Sequence, residues 1–144
     1  MATRSTIAIE NADNTIHQVY CHWDGYISNN GAILQKYYNT RESVEKLIMG
    51  ADISSLGRYI SDKPMDFDNR DYDYTNYYSN RGEITSIRHY KDIDDYMENA
   101  QQEEYNYLFC KDDVWSVEFG EDWQDLEYLI QEGNIVDPYT KEKK

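Results

Sequence analysis

The sequence predicts a single α+β domain in which an antiparallel sheet of about five strands packs against three to four helices. Two observations indicate this class. Strand-like and helix-like runs follow one another in the order ββααβαββα, and a chain of 144 residues is long enough for one hydrophobic core. No internal repeat or domain boundary is visible in the sequence. We therefore expect residues 1–140 to form the domain and residues 141–144 to be a frayed tail.

The N-terminal part predicts a hairpin followed by two short helices. The expected elements are strands at 6–10 and 16–23, separated by turn-forming residues at 11–14, and helices at 32–39 and 40–49. Thr40 is a suitable N-cap for the second helix, and Gly50 ends it. Asp52 is expected to begin a further helical turn that carries Ile53 and Leu56.

The C-terminal part predicts a strand, a helix, a hairpin and a last helix. The expected elements are a strand at 83–90, a helix at 92–102, strands at 105–110 and 114–119, and a helix that begins near Trp123 and ends before Gly133. The helix at 92–102 has the clearest pattern, because Ile93, Tyr96, Met97 and Ala100 recur at helical spacing. Residues 61–82 show neither the helical nor the strand spacing of apolar residues, which is unusual for a stretch of this length in a compact domain.

Negative charge is concentrated in one part of the chain. Residues 61–133 contain 20 Asp and Glu against 6 Lys and Arg, so the excess in this segment equals the formal net charge of −14 of the whole protein. The segments on either side are close to neutral. A regional negative field interspersed with tyrosine predicts a surface that attracts a basic partner.

The predicted helix at 92–102 presents carboxylates at a spacing that suggests imitation of DNA. Carboxylates on adjacent helical turns lie about 6 Å apart, a distance of the same order as that between successive phosphates. A DNA-binding groove gains most of its affinity from phosphates, so such a row predicts a decoy that binds the groove and does not itself bind nucleic acid. The predicted partner-binding residues are Asp92, Asp94, Asp95, Glu98, Asp122 and Asp125 as phosphate surrogates, with Tyr72, Tyr74 and Tyr77 as contact aromatics. A merely solvated helix face is the alternative interpretation.

A second hypothesis is a binding site for a small nucleotide or signalling metabolite. Arg70 and Arg81 would hold the anion, while Tyr78 and neighbouring tyrosines would stack on a base. The same arginines, together with Arg88, can instead pair with their acidic neighbours.

Other chemistry receives weaker support from the sequence. The nucleophile, base and acid of a hydrolase could come from Cys21, His22 and Asp24. However, Cys21 and His22 are neighbours on a predicted strand and point to opposite faces, so the thiol and the imidazole would not meet. This favours the interpretation of Cys21 as a buried core residue. The histidines and cysteines lack the paired spacing of a zinc site, and the acidic loop at 66–73 lacks the glycine and terminal glutamate of an EF-hand. We expect no catalytic residue, metal or cofactor.

The sequence predicts a cytoplasmic protein. It contains no run of about 18 apolar residues that would span a membrane, and the N-terminus does not have the pattern of a secretion signal. We expect Cys21 and Cys110 to be free thiols.

Parts of the chain resemble a family of small uncharacterised proteins encoded by bacteriophages and prophages. The resemblance rests on residues 1–10, which begin Met-Ala-Thr-Arg-Ser-Thr, on 19–26, which contain Tyr-Cys-His-Trp-Asp-Gly-Tyr, and on 31–34. Residues 78–83 are similar to a later family segment in which Gly-Arg-Asp precedes Arg-Gly-Glu, although Ser79 and Asn80 depart from it. The resemblance transfers no functional residue. It implies a bacterial host cell, in which small acidic phage proteins often inhibit restriction, CRISPR, transcription or recombination complexes.

Overall fold

A mixed β-sheet organises the fold of the computed structural model, which describes residues 2–63, 65–69, 71–120 and 122–141. The strands are β1 (Ser5–Glu10), β2 (Ile16–Cys21), β3 (Ile53–Ser55), β4 (Asn76–Tyr77), β5 (Arg88–Tyr90), β6 (Tyr105–Phe109), β7 (Trp115–Glu118) and β8 (Trp123–Asp125). The helices are α1 (Ala32–Tyr37), α2 (Arg41–Met49), α3 (Ile93–Asn99), α4 (Leu126–Glu132) and α5 (Pro138–Lys141). A π-helical turn at Ile27–Gly31 leads into α1, and a 3₁₀ turn at Tyr78–Arg81 follows β4.

The sheet is open and larger than the sequence predicted. Its strand order is β4-β3-β2-β1-β6-β7-β8, and β5 pairs with β2 beside this path. The α+β class and the single domain are confirmed, but eight strands and five α-helices in the described residues replace the expected five strands and three to four helices. The sheet is also mixed, because β1 runs parallel to β6 and β2 runs parallel to β3. The additional strands have two or three residues each, too few to show a period in the sequence.

Helices cover both faces of the sheet. Ile7 and Ile9 of β1 join a large apolar cluster with residues of α1, α2 and α4, whereas Ala8 between them joins a smaller cluster with Tyr96 of α3. Since successive residues of a strand point to opposite faces, α3 lies on the face opposite the other three helices. We call these the α3 face and the three-helix face.

Local sequence signals placed several elements correctly. The predicted hairpins are the antiparallel pairs β1–β2 and β6–β7. Helix α2 begins at the predicted cap, where the Thr40 hydroxyl accepts a hydrogen bond from the Ser43 amide at 3.2 Å, and Gly50 follows its last residue. Cys21 and Cys110 are free thiols.

Three other predicted elements differ from the structure in type or extent. The turn expected after Asp52 is strand β3, which pairs with β2 and β4. Of the strand predicted at 83–90, the last three residues form β5. The last helix begins at Leu126 and not near Trp123, because residues 123–125 pair with β7 and form β8. Hairpin pairing with β7 overrides the helical spacing of these residues.

The described residues of the segment 61–82, for which the sequence predicted no regular element, are packed into the domain. Tyr59 and Tyr74 form an isolated parallel bridge, and the Gly57 amide and the Tyr38 hydroxyl bond to Thr75. A Cβ atom at Gly57 would lie 2.3 Å from the backbone of Tyr74, so the close approach of these two backbone segments requires glycine at this position.

Candidate binding surfaces

Two of the four predicted carboxylates on α3 stabilise the helix itself. Asp92 is the N-cap, and its Oδ1 accepts a hydrogen bond from the Asp95 amide at 2.8 Å. The Asp95 carboxylate accepts hydrogen bonds from the Lys91 amide at 2.9 Å and from the Asn99 Nδ2 at 2.8 Å. These two bonds favour the ionised form and lower the pKa of Asp95. Asp92 and Asp95 are therefore fixed in place by local structure.

The other two carboxylates on α3, Asp94 and Glu98, are exposed to solvent. In the part of the chain that the structure describes, neither side chain makes a hydrogen bond or an ion pair. They lie one helical turn apart, so their Cβ atoms are about 5–6 Å from each other. This is the spacing that the sequence predicted for the row of carboxylates.

The charge excess extends well beyond α3. Between residues 92 and 132, Asp113 forms an ion pair with Arg41 at 2.9 Å. Among the described residues of that segment, the other 12 carboxylates have no cationic partner within 4 Å. They are Asp92, Asp94, Asp95, Glu98, Glu103, Glu104, Asp112, Glu118, Asp122, Asp125, Glu127 and Glu132. This part of the domain therefore carries a negative charge that internal ion pairs do not neutralise.

The predicted acidic row from α3 to the last helix is divided by the sheet. Asp125 is exposed and caps α4, accepting a hydrogen bond from the Tyr128 amide at 3.2 Å, and α4 packs on the three-helix face. Asp122 is exposed and precedes β8, not a helix. The next residue, Trp123, packs beside Tyr96 with ring centroids 6.1 Å apart. Trp123 thus contacts the α3 face and Asp122 precedes it in the chain, while Asp125 stands at the start of a helix on the other face.

The three predicted contact tyrosines have different environments. Tyr72 is 73% exposed, and Tyr74 is half-buried with its ring centroid 5.9 Å from that of Tyr59. Tyr77 belongs to the core, where its hydroxyl donates a hydrogen bond to the Leu47 carbonyl at 2.6 Å and burial raises its pKa. A Cβ atom at Gly50 would lie 2.3 Å from the Tyr77 ring, so glycine makes room for it. Tyr77 is therefore not part of the accessible surface.

The residues of the nucleotide hypothesis are largely engaged with one another. Arg70 lies outside the described residues. Arg81 pairs with Glu83, and its guanidinium stands 4.8 Å from the ring centroid of Phe67 and 5.2 Å from that of Tyr78. Arg88 pairs with Asp52 at 3.0 Å. Arg81 and Arg88 thus form the acidic pairs that the alternative interpretation predicted.

The cysteine, histidine and aspartate at 21–24 do not form a catalytic arrangement. The Cys21 thiol is fully buried beside the Asn30 amide, and burial raises its pKa to about 12. The imidazole Nδ1 of His22 instead lies 2.7 Å from the Tyr20 hydroxyl. A thiol that stays protonated and has no base beside it is a poor nucleophile. Among the described residues, no group of three or more His, Cys, Asp or Glu side chains is arranged to hold a metal ion.

A cleft of about 360 Å³ between α1, β3 and α5 is a feature that the sequence did not predict. Its lining includes Trp23, Tyr72 and Tyr139, which are far apart in the chain and share no motif. The sequence offers one local signal for this cleft, the exposed-turn sequence Trp-Asp-Gly at 23–25.

Comparison of the chain with protein-family models, with curated protein sequences and with solved structures gives no match. In the part of the chain described, none of the helices has the length and apolar character needed to cross a lipid bilayer.

Proposed function

We propose that this protein is a phage-encoded, non-enzymatic inhibitor that binds a basic surface of a host nucleic-acid-binding protein and competes there with DNA or RNA. The observation that carries the proposal is the set of 12 carboxylates between residues 92 and 132 that have no cationic partner among the described residues. A basic groove on another protein would supply the missing partners.

The geometry of α3 supports imitation of phosphates. Like charges one turn apart oppose helix formation by about 0.2–0.5 kcal/mol per pair, so the proximity of Asp94 and Glu98 does not itself stabilise the free protein. Asp92 and Asp95 bond to the backbone and to Asn99, which fixes the helix that displays the other two. A rigid display of charge loses less entropy on binding than a flexible acidic segment.

The residues assigned to the partner surface follow from their exposure. Asp94 and Glu98 on α3, and the exposed Asp122 that precedes β8, are the proposed phosphate surrogates. Asp92 and Asp95 act by holding α3 in shape, and Asp125 extends the field from the edge of the sheet. Tyr72 and Tyr74 are proposed as peripheral contacts.

The experiment is an affinity capture from bacterial lysate at low salt, followed by competition with duplex DNA. The bait is the wild-type protein or the variant D94N/E98Q, which removes two charges without shortening a side chain. A matched control is E42Q/E45Q, because Glu42 and Glu45 are also exposed on a helix but lie on the three-helix face. The proposal predicts that a nucleic-acid-binding complex is captured by the wild type and by the control, is displaced by DNA, and is lost with D94N/E98Q.

A small nucleotide or signalling metabolite remains the second candidate ligand. Its phosphate would have to displace Glu83 from Arg81. A nucleotide that raises the melting temperature in proportion to its occupancy would favour this function, and it would do so equally for the wild type and for D94N/E98Q.

A further inference from the structure

The cleft between α1, β3 and α5 combines an apolar floor with an aromatic and acidic rim. Ile33 and Leu56, which are almost completely buried, form its floor. Trp23 and Tyr72 are exposed by 39% and 73% and stand with Tyr139 around the opening. Polar atoms come from Asp24, Asn29 and Ser55. The volume of about 360 Å³ falls within the usual range for a small-molecule site.

Trp23 and Asp24 are held in place by their backbone. The Trp23 amide donates to the Ser54 carbonyl at 3.0 Å, and its own carbonyl accepts from the Asn30 Nδ2 at 3.3 Å. Asp24 has a φ of 57°, a left-handed conformation that aspartate and asparagine adopt more readily than other non-glycine residues. The Asp24 carbonyl accepts a hydrogen bond from the Asn30 amide at 3.2 Å, which fixes this turn.

Tyr139 is fixed at the opposite side by α5. The Asp137 carboxylate, which is 5% exposed, accepts hydrogen bonds from the Tyr139 and Thr140 amides and from Lys36. The Tyr139 hydroxyl donates to the Tyr72 carbonyl at 2.7 Å, which joins α5 to the segment that carries Tyr72. The aromatic rim is therefore built from three separate parts of the chain: α5 and the segment of Tyr72 are bonded to each other, and Trp23 is held by β3 and Asn30.

The chemistry of this lining fits a positive charge. The faces of aromatic rings attract cations, tryptophan most strongly. The lining contains one carboxylate, Asp24, and no Lys or Arg among the described residues. Within those residues Asp24 has no cationic partner, and its carboxylate accepts a hydrogen bond from the Tyr26 hydroxyl at 3.4 Å. The ring of Tyr139 already holds one cation, since the Arg58 guanidinium stands 4.5 Å from its centroid. Asp73 pairs with Arg58 at 3.1 Å and balances that charge.

We propose that this cleft is a binding site for an organic cation, an alkylammonium or guanidinium group, which Trp23 and Tyr72 contact through their ring faces and Asp24 through its carboxylate. The apolar floor accommodates the alkyl carbons attached to the charged nitrogen. The site does not depend on the carboxylates of α3 and therefore stands separately from the proposed function.

The first test compares choline with 3,3-dimethylbutan-1-ol, which has the same shape and no charge. Binding is measured by isothermal titration and by the change in tryptophan fluorescence. A cation site predicts that choline binds at least about fivefold more tightly than the alcohol. Equal binding of the two, or binding of neither at tens of millimolar, would overturn the proposal.

The second test uses variants of the rim. Asp24→Asn keeps a residue that tolerates the left-handed conformation, so it removes the charge and preserves the turn. We expect Asp24→Asn and Tyr72→Ala each to weaken choline binding severalfold, whereas D94N/E98Q leaves it unchanged. Choline binding that is insensitive to both rim variants would place the ligand elsewhere and reject the site. The melting temperature in the absence of ligand shows whether either variant has unfolded.

A third test distinguishes two sources of the cation, a free metabolite and a side chain of a protein partner. Putrescine and choline represent free small cations, and a peptide with one central arginine or trimethyllysine represents a side chain of a protein partner. A peptide that binds more tightly than the free amine, and competes with choline, assigns the cleft to a protein side chain. Tighter binding of the free amine assigns it to a metabolite. If neither putrescine nor either peptide competed with choline, a shared cation site would be contradicted.

Discussion

Helices α3 and α5 use carboxylates in opposite ways. Asp137, at the start of α5, is 5% exposed and accepts bonds from Lys36, Tyr37, Tyr139 and Thr140. Asp94 and Glu98 on α3 are exposed and have no bonded partner among the described residues. A buried carboxylate without partners would cost several kcal/mol, whereas an exposed one costs little because water solvates it. The carboxylates of this protein therefore differ in role: Asp137 holds the fold together, whereas Asp94 and Glu98 are exposed and unbonded within the described residues.

The largest expected change in stability comes from removing the buried aromatic contact that packs α3 against the sheet. Tyr96 is 1% exposed and packs against Tyr90 and Trp123, with centroids 5.5 and 6.1 Å away. Tyr96→Ala should lower the free energy of unfolding by about 3–5 kcal/mol, the usual cost of deleting a buried aromatic side chain. Chemical denaturation measures this, and Tyr96→Phe is the control. A loss below about 1 kcal/mol would mean that α3 does not depend on this contact.

The next largest change in stability is expected for Asp137, the carboxylate at the start of α5. Asp137→Ala should cost about 1–3 kcal/mol, because it removes charge-assisted hydrogen bonds to α1 and within α5. Lys36→Met should cost less, since the bonds from Tyr37 and Thr140 remain. Equal losses for the two variants would show that the ion pair alone accounts for the effect.

The pH dependence of Asp137 gives a second measurement on the same residue. Burial alone would raise its pKa, but hydrogen bonds from Thr140 and Lys36 outweigh burial and lower the pKa from 3.8 to about 2. A depressed pKa in the folded state contributes stability that is complete above pH 3.8 and is lost as the pH falls through 2. The stability difference between the wild type and Asp137→Ala should therefore shrink between pH 4 and pH 2. A constant difference over that window would refute the assignment.

A smaller effect separates capping from charge on α3. Asp92→Ala should cost about 1 kcal/mol, because the Asp95 amide loses its acceptor. Asp92→Asn should cost almost nothing, because asparagine caps helices as well as aspartate does. Circular dichroism during urea denaturation measures both. If Asp92→Asn were as damaging as Asp92→Ala, the charge and not the cap would stabilise α3.

The smallest effect applies the same reasoning to a half-buried histidine. His17 on β2 faces His89 on β5 with ring centroids 4.4 Å apart. Burial and, to a lesser extent, the charge of His89 lower the pKa of His17 below 6.5. The unfolded chain then binds the proton more readily, so stability should fall as the pH is lowered through 6.5. His89→Gln should make this fall shallower, which thermal denaturation from pH 8 to pH 5 would show. An unchanged slope would argue against coupling between the two rings.

Local signals and long-range contacts explain which parts of the fold were predictable. Helix α2 was placed correctly because Thr40 and Gly50 act within a few residues of the helix ends. Strand β3 was missed because partners distant in sequence determine it. Strand β8 was missed although its partner β7 is close in the chain, because a run of three residues carries no period of its own. The parallel pairing of β1 with β6 joins residues about 100 positions apart and has no local signature.

The binding surfaces show the same division. The proximity of Asp94 and Glu98 on α3 could be predicted because helical spacing alone brings them together. Tyr77 was assigned to the surface because its position in a Tyr-rich stretch did not reveal that its ring packs under α2. The aromatic rim of the cleft was missed because Trp23, Tyr72 and Tyr139 meet only in the folded domain.

The most direct test of the central claim is the salt dependence of the affinity for the captured complex. Fluorescence anisotropy from 50 to 300 mM salt would compare the wild type, D94N/E98Q and E42Q/E45Q. We expect the wild type and E42Q/E45Q to bind with similar affinity that weakens steeply with salt, and D94N/E98Q to bind at least tenfold more weakly with a shallower slope. Equal affinity and equal slopes for all three proteins would contradict the account, because the exposed carboxylates of α3 would then be solvated residues and not a partner surface.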